Sequence, residues 1–530
     1  MPPIAAQAII QSSVALNKSQ KNAEPASASA DVLKDAELQR LLHSPGLSGH
    51  DLPASRQVYT NRALRLEQIS MIGFDMDYTL AVYSMRHIEE LAFHMTLERL
   101  VEKRGYPRIL SGITYDHEFV IRGLVVDKDH GNLFKMDRHN YVGRCYHGRQ
   151  LLPLDERRAL YQNEKIRLSL PRFAWIDTLF SLPEACLYAE IIETLERRDP
   201  AGPHKVDYHQ LYDDVRASID EVHRDGSLKT ELKKDLAKYI VRDPELAPAL
   251  HKLRSGGKKL FILTNSLWDY TDAVMEYLLE GQLPEYPSWR NYFDLVIVGA
   301  QKPAFFAEPR PFVELDPAGN IVVDKATSLE RGKVYEGGNL FDFERMTGHA
   351  GEAVLYVGDH IYGDIIRNRK SSLWRTCFVV QELEREIEYI EQHQGEIHRL
   401  RELDHARQRI DDLINHLKLT LNALERAQAR GPSGPDLDLK RARSKAELEA
   451  LRRYFKQILS EEQSLEDGVE RGMNRFWGLC FKEGNENSRF GEQVVNYADL
   501  YTSRVSNFLY YSPMQVFRSP RDTMPHERRR

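Results

Sequence analysis

Four short apolar stretches, each ending in polar residues, limit what this chain can fold into more than any other feature of its 530 residues. They fall at 69–75, 259–264, 294–298 and 353–358, with helical patterns such as Tyr270–Leu279 between them. Runs this short and this continuously apolar are expected as strands buried on both faces. Strand alternating with helix predicts an α/β fold built on a doubly wound, mostly parallel sheet. In such sheets ligands gather at the carboxyl ends of the strands.

Those ends carry a consistent chemistry. Met71-Ile72-Gly73-Phe74 runs into Asp75-Met76-Asp77-Tyr78-Thr79, two carboxylates and a hydroxyl. Like charges at one strand end need a cation beside them, and a hard divalent ion such as Mg²⁺ with a phosphate alongside is the natural candidate. Lys259–Leu263 leads into Thr264-Asn265-Ser266, whose hydroxyls and N–H groups suit phosphate oxygens, or else cap a helix. Lys302 follows the stretch Phe293–Val298 and can neutralise phosphoryl charge, or else lie on the surface. Gly358-Asp359-His360-Ile361-Tyr362-Gly363-Asp364 follows the fourth stretch; Gly358 permits a sharp turn, and both carboxylates return towards the strand end. Each segment alone has an ordinary structural explanation. Together and in this order they form a phosphoryl-transfer set.

The ordered set resembles the haloacid dehalogenase (HAD) superfamily. Its surroundings are similar to the cytosolic purine 5′-nucleotidases that prefer IMP and GMP, over about Val58–Glu527. The matching stretches include Gly73–Tyr83, Arg122-Gly123-Leu124-Val125, Tyr270-Thr271-Asp272, Lys302-Pro303 with Phe305-Phe306, Trp374-Arg375-Thr376 and Tyr497–Tyr501. The resemblance implies that Asp75 is the nucleophile, forming an aspartyl-phosphate, and that Asp77 is the general acid and then base. It also implies Mg²⁺ held by the Asp75 carboxylate, the Asp77 backbone carbonyl and Asp359, with Asp364 orienting that shell. Thr264 and the Asn265 backbone would bind phosphoryl oxygens, and Lys302 would hold the charge on Asp75 and the phosphoryl group.

Asp75 and Thr264 stand about 190 residues apart, far more than one strand-to-strand crossover needs. An inserted cap over the site is the economical reading. Within it, Phe180 matches the aromatic that stacks on the purine in the family. Arg216, Asp220, His223 and Lys229 match its base- and ribose-recognition set. Arg216, Asp220 and His223 share one helical face by spacing, which a solvated, salt-bridged face would also explain. Asp177 stands where the mammalian-type pattern has Asn. Lys370, Gln493 and Tyr497 coincide with positions where such relatives bind a nucleotide effector, while Asn496 replaces a basic residue there.

The expected organisation is a disordered tail over 1–55, core with a β-hairpin over 56–150, a mostly helical cap over 151–241 and core again over 242–382. A helical hairpin over 383–470 and a segment over 471–530 packing back on the core complete it. The hairpin rests on an apolar stripe from Ile387 through Leu424, broken by Gly431-Pro432-Ser433-Gly434-Pro435 and resumed from Leu448 to Leu459. It reads as a packed appendage or as an oligomerisation or docking arm. The net charge of −6 speaks against a nucleic-acid surface, and no apolar run reaches membrane-spanning length. Four scattered cysteines fit reduced thiols and a cytoplasmic location. The expectation is therefore a Mg²⁺-dependent 5′-nucleotidase acting on purine nucleoside monophosphates, with phosphotransferase activity to other nucleosides and a homo-oligomeric (dimeric or tetrameric) state. The alternatives are a phosphatase for another small phosphoester, or a scaffold acting through the hairpin.

Overall fold

The computed structural model of the protein describes residues 52–527, apart from 199–205, 367, 369, 370, 430, 432, 433, 522, 525 and 526. Residues 1–51 of the expected tail lie outside the described residues. Ala54–Arg56 form a short 3₁₀ turn, and the Ser503 hydroxyl donates to the Ser55 carbonyl at 2.9 Å.

The predicted strands assemble side by side. A ten-stranded sheet has the order Tyr59–Thr60, Leu500–Thr502, Arg375–Val379, Val354–Gly358, Met71–Phe74, Lys259–Leu263, Leu295–Val298, Val334–Gly337, Phe312–Leu315, Ile321–Val323. From Leu500–Thr502 to Val334–Gly337 every neighbouring pair is parallel, and antiparallel strands finish both edges. The Met71–Phe74 and Val354–Gly358 strands are buried at every position, as strands covered on both faces must be. Met71–Phe74 sits where the winding reverses, with Lys259–Leu263 on one side and Val354–Gly358 on the other. That switch point opens a crevice at the carboxyl end of the sheet.

The inserted stretch differs from its expected outline. The chain leaves the core after Tyr83 and returns at Ile240, where Val82–Tyr83 and Ile240–Val241 pair antiparallel. Between them, the hairpin expected within 56–150 is the middle of a five-stranded antiparallel sheet. Its edge strand Phe173–Ile176, paired with Leu124–Asp127, comes from the stretch expected to be mostly helical. A boundary at 150/151 therefore cuts through one sheet; the pairing partner lies about fifty residues downstream, beyond the reach of local patterning. Helix Leu182–Glu193 packs against this sheet, and Met85–Lys103 and Tyr208–Arg224 pack against that helix and each other.

Helices Gln394–Gln428 and Pro435–Met473 lie along one another, sealed by Ile414, Leu421 and Leu448. Arg399–Glu461 (2.9 Å), Arg407–Glu462 (3.1 Å) and Arg441–Glu425 (3.3 Å) flank the seam. The apolar stripe begins one helix earlier, in Glu382–Gln392, which ends at His393. The C-terminal stretch ties the insertion to the core. The buried Lys135 ammonium donates to the carbonyls of Trp477 (2.9 Å) and Leu479 (2.6 Å), and Leu500–Thr502 joins the main sheet. All four cysteines are buried free thiols, and among the described residues no helix is long and apolar enough to cross a membrane.

Candidate active site

Register brings the four polar ends together. Phe74 lies opposite Ile262 on one side and Val357 on the other, and the Asp75 amide donates to the Val357 carbonyl at 2.9 Å. Asp75 and Asp359 therefore emerge side by side. One carboxylate oxygen from each of Asp75, Asp359 and Asp364 lies within 4.8 Å of the others. Lys302 reaches them across the crevice. Its ammonium contacts Asp75 Oδ2 at 2.8 Å and Asp364 Oδ1 at 2.8 Å, and donates to the Tyr356 hydroxyl at 2.9 Å. Tyr356 in turn donates to the Leu263 carbonyl.

Three buried carboxylates face one ammonium. Burial, opposed by Lys302 and reinforced by Asp364 and Asp77, pushes the Asp75 carboxyl up; burial together with Asp75 and Asp364 raises Asp359 well above the ordinary carboxylate range. Charge that one lysine leaves uncompensated, presented by hard oxygen donors, is what a divalent cation such as Mg²⁺ binds.

Asp364 sits on the π-helical turn Ile361–Ile366, between Lys302 and the His360 amide, which donates to its Oδ2 at 3.2 Å. The glycine before Asp359 serves this contact and not a left-handed turn: a Cβ on Gly358 would stand 2.4 Å from Asp364 Oδ2. Asp77 has its own frame. Tyr83 donates to its Oδ1 and Ser266 to its Oδ2, each at 2.6 Å, while Lys229 donates to Ser266 Oγ at 2.9 Å and Tyr270 meets the Tyr83 hydroxyl at 2.7 Å.

These groups floor a cavity of about 720 Å³. Asp75, Asp77, Asn265, Lys302, Asp359 and Asp364 line its core side; Phe180, Asp220, His223 and Lys229 line the side made by the insertion. Thr264 and Arg216 are not among the lining residues. Thr264 is fully buried and its hydroxyl accepts from the Ser266 amide at 3.1 Å. Arg216 is drawn to the buried Glu184 at 2.8 Å, with Asp220 at 3.5 Å. Asn265 locks the lysine loop in place, its side chain accepting from the Lys302 amide at 2.6 Å and donating to the Lys302 carbonyl at 3.0 Å. Phe180 meets Tyr78 and His223 edge-on, at centroid distances of 4.7 and 5.3 Å. Of the expected effector positions, Lys370 lies outside the described residues, and Gln493 and Tyr497 do not line this cavity.

Several contributors were not singled out from the sequence. Ser266 and Tyr83 hold Asp77, and Tyr356 holds Lys302. The fully buried Arg122 pairs with Glu382 and donates to the Asp359 carbonyl at 2.9 Å. Ser266, Tyr83 and Arg122 all belong to recognised motifs, so motif membership was the available signal; Tyr356 sits mid-strand and gave none.

A sequence model of the 5′-nucleotidase family matches residues 58–529. A 5′-nucleotidase domain-containing protein of Dictyostelium discoideum is 32% identical over 503 residues, 94% of this chain and 78% of that protein. The 5′-nucleotidase domain-containing protein 2 of Rattus norvegicus is 32% identical over 508 residues, 93% of this chain and 84% of its own length. The human protein of the same name is 32% identical over 484 residues, 89% and 85% of the two chains. The strand-end residues pointed to this family, and the chain belongs to it: the 5′-nucleotidase family of enzymes.

Proposed function

We propose that the chain is a Mg²⁺-dependent 5′-nucleotidase that hydrolyses purine nucleoside 5′-monophosphates of the IMP and GMP type through an aspartyl-phosphate on Asp75. The observation that carries this reading is the Asp75 carboxylate, held by Lys302 beside Asp359 and Asp364 on the floor of a nucleotide-sized cavity.

Asp75 and Asp359 through their carboxylates, and Asp77 through its backbone carbonyl, would hold the cation, with Asp364 fixed by Lys302. When bound, the ion would offset negative charge on the carboxylates and the phosphoryl oxygens. A carboxylate oxygen of Asp75 attacks phosphorus, and the bond from phosphorus to the ribose 5′-oxygen breaks. Asp77 delivers a proton to that leaving oxygen. Its Oδ1 can carry this proton because the Tyr83 hydroxyl can turn to donate to Tyr270 instead. The Asp77 carboxylate then takes a proton from water as the water attacks phosphorus, releasing phosphate and restoring Asp75. Another nucleoside's hydroxyl in place of that water gives phosphotransfer. Lys302 and Asn265 steady the phosphoryl group.

The stretch between Tyr83 and Ile240 would serve as the cap, with Phe180 against the purine and Asp220, His223 and Lys229 around base and ribose. Arg216 would act through Glu184 and Asp220 and not by direct contact. The exposed Leu413, Leu419, Leu439 and Tyr454 on the long helices suit an assembly arm.

The test is phosphate release from a panel of nucleoside monophosphates and sugar phosphates with Mg²⁺ or chelator, with acid-quench detection of phosphoenzyme. Preference for IMP and GMP, Mg²⁺ dependence and labelled Asp75 are expected. Equal rates on sugar phosphates would remove the purine assignment, and turnover unaffected by chelation would remove the metal.

A further inference from the structure

Behind Phe180 lies a void of about 10 Å³, room for one water. Ile88, Phe180, His223 and Leu228 wall both this void and the main cavity, and Glu89 closes its far side. Two of the buried polar atoms on these walls have no protein partner: Glu89 Oε1 and His223 Nε2. Glu89 is only 3% exposed, and the Tyr115 hydroxyl donates to its other oxygen at 2.7 Å. Buried polar atoms left unpaired are costly, and a water between two of them is the usual remedy.

We propose that Glu89 is a positioning residue for base recognition: through one water in this void it fixes which ring nitrogen of His223 carries the proton. This rests on the base-site reading above and extends it to a residue outside the recognition set.

Burial pushes the Glu89 carboxyl up to about 8, and burial aided by Lys229 holds the His223 imidazole down at about 4. At neutral pH the acid is therefore protonated and the ring neutral. Glu89 then donates to the water and the water donates to Nε2, which leaves the proton on Nδ1. A ring with Nδ1–H is a donor and suits a 6-oxo purine. Once Glu89 ionises, its charge favours the ring proton on the nearer nitrogen: the water donates to the carboxylate, and its oxygen, made more basic, accepts from Nε2–H. Nδ1 becomes an acceptor, suited to a 6-amino purine. The other groups facing Glu89 are Tyr115, Tyr78 and Glu382. Both tyrosines are held neutral by burial, and Glu382 is engaged by Arg122.

The experiment compares kcat/KM for IMP and AMP from pH 6.5 to 9.5 in the full chain and in Glu89→Gln, with p-nitrophenyl phosphate as a substrate lacking a base. The IMP-to-AMP ratio of the unsubstituted protein is expected to fall about tenfold, chiefly through KM. Glu89→Gln cannot titrate and reports the substrates' own ionisation, so its ratio should fall far less than that of the unsubstituted protein. Turnover of p-nitrophenyl phosphate should agree within about twofold between the two proteins. A flat ratio in the unsubstituted chain overturns the proposal even if Glu89→Gln does not fold. So does a Glu89→Gln protein whose ratio falls as far as that of the unsubstituted chain, or one that loses turnover of p-nitrophenyl phosphate as well. Phe180→Ala separates the two readings. If it leaves IMP turnover unchanged, the base-site reading fails; if it impairs IMP but not p-nitrophenyl phosphate while the ratio of the unsubstituted chain stays flat with pH, only the role of Glu89 fails.

Discussion

The two sides of the cavity are built differently. The floor comes from strand ends: Asp75 follows Met71–Phe74, Asp359 follows Val354–Gly358, and Lys302 follows Leu295–Val298 by a few residues. Its groups are buried and locked by short contacts. The wall comes from the insertion, where Asp220 and Arg216 are each more than two-fifths exposed and Phe180 and His223 are half-buried. Sheet register sets the floor, whereas helix packing at long sequence separation sets the wall. A site made this way keeps its chemistry fixed while its substrate contacts can be adjusted, because rigid elements hold the reacting groups.

Asp75→Asn should break the floor outright. Phosphate release is expected to drop by about a thousandfold or more, since the nucleophile is lost. Relieving repulsion among the buried carboxylates should at the same time raise the melting temperature measured in chelator. Substantial residual turnover would mean that the floor is not the reacting centre. Lys302→Met removes the ammonium facing Asp75 and Asp364. A fall of about a hundredfold in kcat is expected, with little change in the circular dichroism spectrum.

Gly358→Ala sharpens the contrast, because it touches no substrate. Its Cβ would press on Asp364, which is 1% exposed and has little room to move. Overpacking of this kind should cost about 1–3 kcal/mol in urea unfolding, with activity reduced about tenfold as Asp364 shifts from Lys302. An alanine variant as stable and active as the parent would contradict the tight floor. Phe180→Ala, on the wall, should have the smallest effect. KM for IMP is expected to rise about fivefold to tenfold, in keeping with loss of one aromatic contact, while kcat stays within about twofold. A fall in kcat comparable to that of Lys302→Met would erase the distinction between floor and wall.

The same contrast explains what could be read from the residues in order. Asp75, Asp359, Asp364 and Lys302 were legible because each sits within a few residues of an apolar strand, and parallel strands align their carboxyl ends. The five-stranded sheet was not, because Phe173–Ile176 joins Leu124–Asp127 across three intervening strands and a helix. Thr264 and Arg216 were expected in the cavity, but local partners claim them: the Ser266 amide for one, Glu184 for the other. A side chain goes to the strongest partner within reach, and spacing along a helix does not show which partner that is.

By itself, the order of residues determined the α/β class, the strands that carry the carboxylates and the lysine, and the family. Short apolar runs and adjacent polar residues are local properties, and local properties survive in one dimension. Only the tertiary structure decided that Ser266 and Tyr83 hold Asp77, that Arg122 braces Asp359, and that Glu89 stands behind His223. Those contacts join residues that are far apart in the chain or buried on facing elements. Their geometry follows from how whole layers pack, so it exists only once the layers have met.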